Sequence, residues 1–440
     1  MAAGRFAPGH LGELTQQIPF EMVDAVLAET GTTQSRLRAL PARVVVYLLL
    51  AGCLFAEAGY TGVWRRLVAG LHGLPVASPT AAGLAKARAR LGAAPLRALF
   101  DLLRGPAAGI RGPGMRWRDL LVCAIDGTTM TIPDSPSNLR RFRKHRCNHG
   151  GSGYPQLRLT ALVACGTRTI IDAVFSATTT GEISHAGDLV RALRPGMIVL
   201  LDRYFASSTL LEAITATDAH FLVRLKTGHR LPVLRRFDDG SYLTRLGSTP
   251  VRIVECQITI ATRAGRCTGV YRLATTLTDP HRYPAFELAK LYHERWEIET
   301  CYLELKSTIL GGRVLRARTP TGIDQEIYAL LVTYQALRLA MADATTVYPD
   351  IDPDRASFTI ALNAARDQLI QAAGVIADTA IDLVGVIGRH VLANLLPNRR
   401  LRVSPRKVKR AISKYNAKGH VDRTSYKATI NIDILAPPTG

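Results

Sequence analysis

LLVCAIDG, residues 120–127, is the run that decides the fold. Six consecutive apolar residues, Leu120–Ile125, closed by Asp126-Gly127, read as a buried strand ending in a loop. A second run of the same kind, Met197–Leu201, ends at Asp202. Between them lie strand candidates Leu157–Cys165 and Thr169–Phe175, with a turn at Gly166-Thr167, and a helix near Ser184–Leu193. A helix at Ser207–Thr217 and a strand at Phe221–Lys226 follow. Strands followed by strand–helix alternation argue for an α/β fold, a mixed sheet with helices on its faces.

The pattern changes on both sides of this centre. Upstream, about Leu14 to Leu103 alternates helical apolar spacing with short breaks, as in Phe20–Glu29, Leu37–Phe55 and Thr80–Leu91. The Gly/Pro-rich stretch Gly105–Gly114 then reads as a linker, so residues 1–113 are expected to form a helical N-terminal domain. Downstream, residues from about 227 to 283 are β-branched and strand-like with no helix, which reads as a β-rich insertion. A helix from Tyr292, another at Asp324–Ala344, and two more at Ala356–Ala373 and Ala377–Leu396 complete the expectation. The division expected is 1–113, a core of 114–345 that carries the insertion, and a helical 346–440 with a basic end.

Composition narrows the function. The chain has 440 residues, 47% hydrophobic and 21% charged, enough for a large core in two or three domains. Its net charge of +21 calls for a polyanionic partner, and nucleic acid is the default candidate. Arg399–Lys427 alone holds eleven Lys or Arg against the single acid Asp422, nearly half of that excess. It reads as a DNA or partner contact in preference to an idle charged tail. An anionic membrane is the competing partner, but the longest apolar run, Val44–Ala56, falls short of the ~20 residues a bilayer span needs. The N-terminus has no apolar signal region, and seven cysteines are scattered without a pairing pattern. A cytoplasmic protein with reduced thiols is expected.

Asp126 and Asp202 each close an apolar strand run, and strand ends in an open α/β sheet are where ligands collect. Two carboxylates brought together repel unless a cation sits between them. Mg²⁺ suits such a pair, with Mn²⁺ as a substitute, because it takes hard oxygen ligands and fills its other positions with water and phosphate. A third acid can enter from YHERWEIETCYLELK, residues 292–306. On a regular helix Tyr292, Arg295, Glu299 and Lys306 share a stripe about 60° wide, whereas Glu294, Glu297 and Glu304 point to the far side. Glu299 is therefore the carboxylate expected to do chemistry, completing a site for two metals about 4 Å apart. Glu304→Ala is expected to do little to DNA binding, because Glu304 faces away from the metal. An ordinary solvated helix with ion pairs such as Arg295–Glu299 is the alternative reading of the same residues.

Asp126 in IDGTTM, Asp202 in LLDRYF and the ungapped Y-x2-R-x3-E-x6-K spacing resemble the DDE transposases of the IS4 group of bacterial insertion sequences. The order of parts is also similar: a helical N-terminal region, an RNase H-like core, a β insertion between the second Asp and the Glu, and a helical C-terminal portion. The chain departs at Tyr204, where a small residue is expected. The resemblance implies that Asp126, Asp202 and Glu299 bind Mg²⁺, and that Tyr292, Arg295 and Lys306 hold the DNA backbone near the transposon end. Trp296, beside that stripe, either stacks on an unpaired base or packs in the core. Arg224 and Lys226, at the end of the strand before the insertion, fit the same DNA track. The activity implied is cleavage at terminal inverted repeats and joining of the ends to target DNA by a synaptic homodimer. A nuclease that cuts without joining, and a DNA-binding protein without catalysis, are the alternatives.

Overall fold

The N-terminal apolar segments fold as helices α1 (Phe20–Glu29), α2 (Ala42–Leu54), α3 (Tyr60–Val68), α4 (Ala81–Leu91) and α5 (Ala94–Leu103). The structure is a computed structural model that describes residues 9–435 except 35–37, 72–73, 108–114, 145, 148–149, 152, 227–230, 264, 349, 373–383, 398–401 and 404–425. α2 starts at Ala42 and not at Leu37, because Pro41 takes the N-cap position, where its missing N–H is not needed. It is apolar all round and buried all round except at Arg43, as a helix in the middle of a core must be. α4 is capped by the Thr80 hydroxyl, which accepts from the Gly83 amide.

The sheet follows: β1 (Arg116–Trp117), β2 (Leu120–Thr131), α6 (Pro136–Phe142), β3 (Arg146–Cys147), β4 (Gly150–Gly151), β5 (Gln156–Ala164), β6 (Ile170–Ala177), α7 (Glu182–Leu189), β7 (Met197–Leu201), α8 (Ser208–Thr215) and β8 (His220–Arg224). In space the order is β6-β5-β2-β7-β8. β2, β7 and β8 run parallel, and β5 and β6 form antiparallel hairpins on the outer side. This is an RNase H-like core.

The insertion does not form a separate sheet. β9 (Arg235–Arg236), β10 (Tyr242–Leu246), β11 (Thr249–Thr262) and β12 (Gly265–Thr275) extend the same one, because β12 pairs with β8 through Leu273↔Arg224 and Thr275↔Leu222. Helices α9 (Ala285–Leu291), α10 (Trp296–Leu303), α11 (Pro320–Thr346), α12 (Phe358–Ile370) and α13 (Gly385–Ala393) come next. The basic segment lies largely outside the described residues. Its two ends pair with each other, as β13 (Arg402–Val403) and β14 (Tyr426–Lys427). Beyond it β15 (Thr429–Ile434) adds to β11, an addition not expected from the sequence.

The strand periodicity of two divides the core. Val122, Ala124, Ile198 and Leu200 share one apolar cluster with the N-terminal helices, α10 and α11–α13. Cys123, Ile125, Val199 and Leu201 face the other way, against α7 and α8. Among the described residues no helix is long and apolar enough to cross a membrane, and Cys53, Cys123, Cys165, Cys256, Cys267 and Cys301 are free thiols.

Candidate active site

Register brings the two aspartates together. The last paired residues of the parallel β2–β7 ladder are Ile125 and Leu201, so Asp126 and Asp202 are the next residues on adjacent strands, which lie about 4.8 Å apart. By the alternation that buries Ala124 and Leu200, both fall on the face covered by α10 and α11. Asp126 does not end its strand, contrary to the sequence reading. β2 runs on to Thr131 because β5 continues to pair with it, Thr131↔Gln156. It is β7 that stops, and the gap beyond its end exposes the edge. The Asp202 carboxylate accepts from the Tyr204 amide at 2.5 Å, and that of Asp126 accepts from the Gly127 amide at 2.8 Å.

Glu299 enters this space from α10, and Arg295 joins it to Asp126. One guanidinium nitrogen lies 3.4 Å from Asp126 Oδ2 and another 3.4 Å from Glu299 Oε1. Arg295 is buried, and its Nε is buried without an acceptor. Burial alone pushes that guanidinium down, but Tyr292, Asp126, Glu299 and Asp202 together outweigh it and hold it above its ordinary value. One cation against three carboxylates is too little. Burial, with Asp202 and Glu299 adding repulsion, pushes the Asp126 carboxyl up to about 6 despite the Gly127 amide and Arg295. A set of hard oxygen donors short of positive charge fits a divalent cation. Asp126 and Glu299 share the guanidinium, and among the described residues no three acid, His or Cys side chains form a group able to hold an ion.

The segment that carries Glu299 is not one regular helix. Tyr292–Arg295 is a 3₁₀ turn, Trp296–Leu303 is α-helical and Glu304–Ile309 is a π-helix. A stripe drawn at 100° per residue therefore holds only in the middle part. Contacts with the strands replace it. The Tyr292 hydroxyl donates to the Leu201 carbonyl at 3.1 Å, next to Asp202. The Tyr302 hydroxyl donates to the Asp126 carbonyl at 2.6 Å, and Lys306 donates to Thr128 at 3.1 Å. Burial lowers the Lys306 pKa.

Trp296 is 44% exposed, with the Arg295 guanidinium 5.0 Å from its ring centre, so the core-packing alternative does not apply. Arg224 lies over the Tyr271 ring at 4.0 Å. Lys226 is exposed at a cleft of about 460 Å³, lined also by Arg203, Tyr204 and Ser207.

The far side of α10 faces a buried ion network and not solvent. Arg168, in the turn between β5 and β6, donates to Glu297 at 2.5 Å and pairs with Asp354 and Glu304. Arg338 of α11 pairs with Glu304, to which Tyr334 also donates at 3.0 Å. Glu304 points away from the aspartates, as expected, and that direction places it in the core and not in solvent. Of the other acids near the strands, Asp172 is buried against Arg104 and Arg191, and Asp134 pairs with Lys144. Sequence reasoning missed Tyr302, although its place three residues after Glu299 was a usable signal. Nothing local marks Arg168.

Two family models match. Residues 8–101 match the N-terminal region of the insertion element 4 transposase, and residues 117–335 match the transposase DDE domain. The transposase InsG for insertion sequence element IS4, from Escherichia coli (strain K12), is 27% identical over 410 residues, covering 90% of this chain and 91% of the relative. Among solved structures, a cryo-EM structure of the piggyBac transposase synaptic complex with hairpin DNA is similar at a TM-score of 0.41 and 11% identity. That match covers 91% of this chain and 87% of the other. This chain belongs to the IS4 family of DDE transposases, enzymes that move insertion sequences by divalent-metal-dependent cleavage of DNA.

Proposed function

We propose that Asp126, Asp202 and Glu299 hold Mg²⁺, in a two-metal site that Mn²⁺ can also fill, and cut DNA at the terminal inverted repeats of the element. The observation that carries this reading is that Asp126 and Glu299, distant in sequence, share the Arg295 guanidinium at 3.4 Å each, with Asp202 on the strand beside Asp126 at the open end of β7. Bound there, a metal pair supplies an activated attacking oxygen and a stabilised leaving oxygen. The chain's own groups do the rest. Arg295 is the internal counter-ion of Asp126 and Glu299, and its fork of donors passes to a backbone phosphate when DNA arrives. Trp296, exposed beside it, offers a stacking face to an unpaired base. Lys306, Arg224 and Lys226 contact phosphates on either side. Tyr292 acts with them at the DNA end while its hydroxyl keeps the Leu201 carbonyl, and with it Asp202, in place.

The division of labour we propose is end recognition by residues 1–113, chemistry by 114–345, and further DNA contact by the basic part of 346–440. A homodimer synapses two ends before joining them to target DNA. Action on chromosomal DNA supports a cytoplasmic enzyme found with the nucleoid when DNA-bound. Duplexes that carry the terminal repeats, incubated with Mg²⁺, Mn²⁺ or chelator and a plasmid target, test this. Metal-dependent cutting at the terminus and joining to the plasmid are expected. Cutting without joining would make the protein a nuclease, and a gel shift with neither would make it a DNA-binding protein only.

A further inference from the structure

We infer that Tyr302 is a positioning residue for the reaction, fixing the helix of Glu299 against the peptide of Asp126. This rests on the reading above that Asp126 and Glu299 carry the chemistry. Tyr302 lies one turn beyond Glu299 on α10, and its hydroxyl bridges two backbone groups. It donates to the Asp126 carbonyl at 2.6 Å and accepts from the Ala161 amide at 3.0 Å. Asp126 and Ala161 are partners in the β2–β5 register. A side chain from the helix thus enters the ladder at the residue whose carboxylate faces the site.

Arg295 makes the other link from this segment to Asp126, at 3.4 Å to a carboxylate oxygen. A divalent ion competes with that link for the oxygen, and a phosphate competes for the guanidinium. Neither competes for main-chain atoms inside a sheet. When Arg295 lets go, Tyr302 remains, and the separation of Glu299 from Asp126 stays set. Phenylalanine would fill the same apolar space beside Ile298, Cys301 and Leu305, so filling the core does not explain the hydroxyl. What the hydroxyl adds is a fixed register between helix and strand.

The test compares Tyr302→Phe with Tyr47→Phe, which removes a buried hydroxyl that donates to the Ile18 carbonyl at 2.8 Å among the N-terminal helices. Single-turnover cleavage of an end duplex, affinity for that duplex, the unfolding midpoint and the Mn²⁺-induced thermal shift are measured on each. Tyr302→Phe is expected to cleave about 10–100-fold more slowly, as a small misplacement of reacting groups does. Its DNA affinity should stay within about twofold of the parent, and it should need more Mn²⁺ for the same thermal shift. Tyr47→Phe should lose comparable stability and cleave at the parental rate. If Tyr302→Phe does not fold, Tyr302→Met repeats the deletion with a side chain that adapts to the core. The inference is overturned if Tyr302→Phe cleaves like the parent, or if its rate and its DNA affinity fall together in step with its loss of stability. Asp126→Asn separates the two levels. Parental cleavage by that variant removes the underlying reading, whereas an inert Asp126→Asn beside a fully active Tyr302→Phe removes this inference alone.

Discussion

The two sides of the Trp296–Ile309 segment use the same residue types for opposite ends. On the back, Glu297 and Glu304 are buried against Arg168 and Arg338, with Tyr334 and Asp354 completing the network. On the front, Asp126 and Glu299 share one guanidinium at 3.4 Å, and Asp202 sits in its field. The back pairs its charges closely and seals them. The front leaves carboxylates short of cation at an opening in the sheet. Buried and matched charges hold the segment, and mismatched ones at the edge are available to a ligand.

The comparison breaks most visibly at Glu304. Glu304→Ala leaves Arg338 buried without its partner and should destabilise the protein by about 3–5 kcal/mol in denaturant unfolding. A change near zero would mean that the back network does not hold the segment.

The front should respond with the opposite sign. Folding raises the Asp126 pKa from 3.8 to about 6, so the ionised form opposes folding. That opposition is absent below pH 3.8, grows as pH rises to about 6, and is complete above it. Asp126→Asn in chelator should therefore be about 1–3 kcal/mol more stable than the parent at pH 8, with the gain vanishing near pH 4. Loss of stability at pH 8 would place Asp126 among the holding charges.

A smaller effect sharpens the contrast. Lys306→Ala should weaken end-duplex binding by about 1–2 kcal/mol at fixed salt while shifting unfolding by less than about 0.5 kcal/mol. Equal losses in both would make its bond to Thr128 a structural one.

The front was largely legible in the sequence and the back was not. Continuous apolar runs ending in Asp126 and Asp202 mark strands buried on both faces, and the parallel register sets the two acids side by side without any local signal being needed. Where the reading failed, a second influence overrode a local one. Asp126-Gly127 has the chemistry of a turn, but β5 pairs straight past it as far as Thr131. The 100° period describes Trp296–Leu303 and breaks in the π-helix that follows. The partners of Glu297 and Glu304 are Arg168, Arg338 and Tyr334, all remote in sequence, and a helical wheel shows only that these acids point away. Alternation in TINIDI, residues 429–434, is a strand signal inside a region expected to be helical.

The central claim is that the three front acids form the catalytic metal site. Asp202→Asn tests it most directly, assayed for metal-dependent cleavage and for gel-shift affinity on one end duplex at fixed salt. No cleavage is expected, with binding unchanged or slightly tighter because a negative charge next to phosphate has been removed. Cleavage at the parental rate, or binding that collapses together with cleavage, would contradict it.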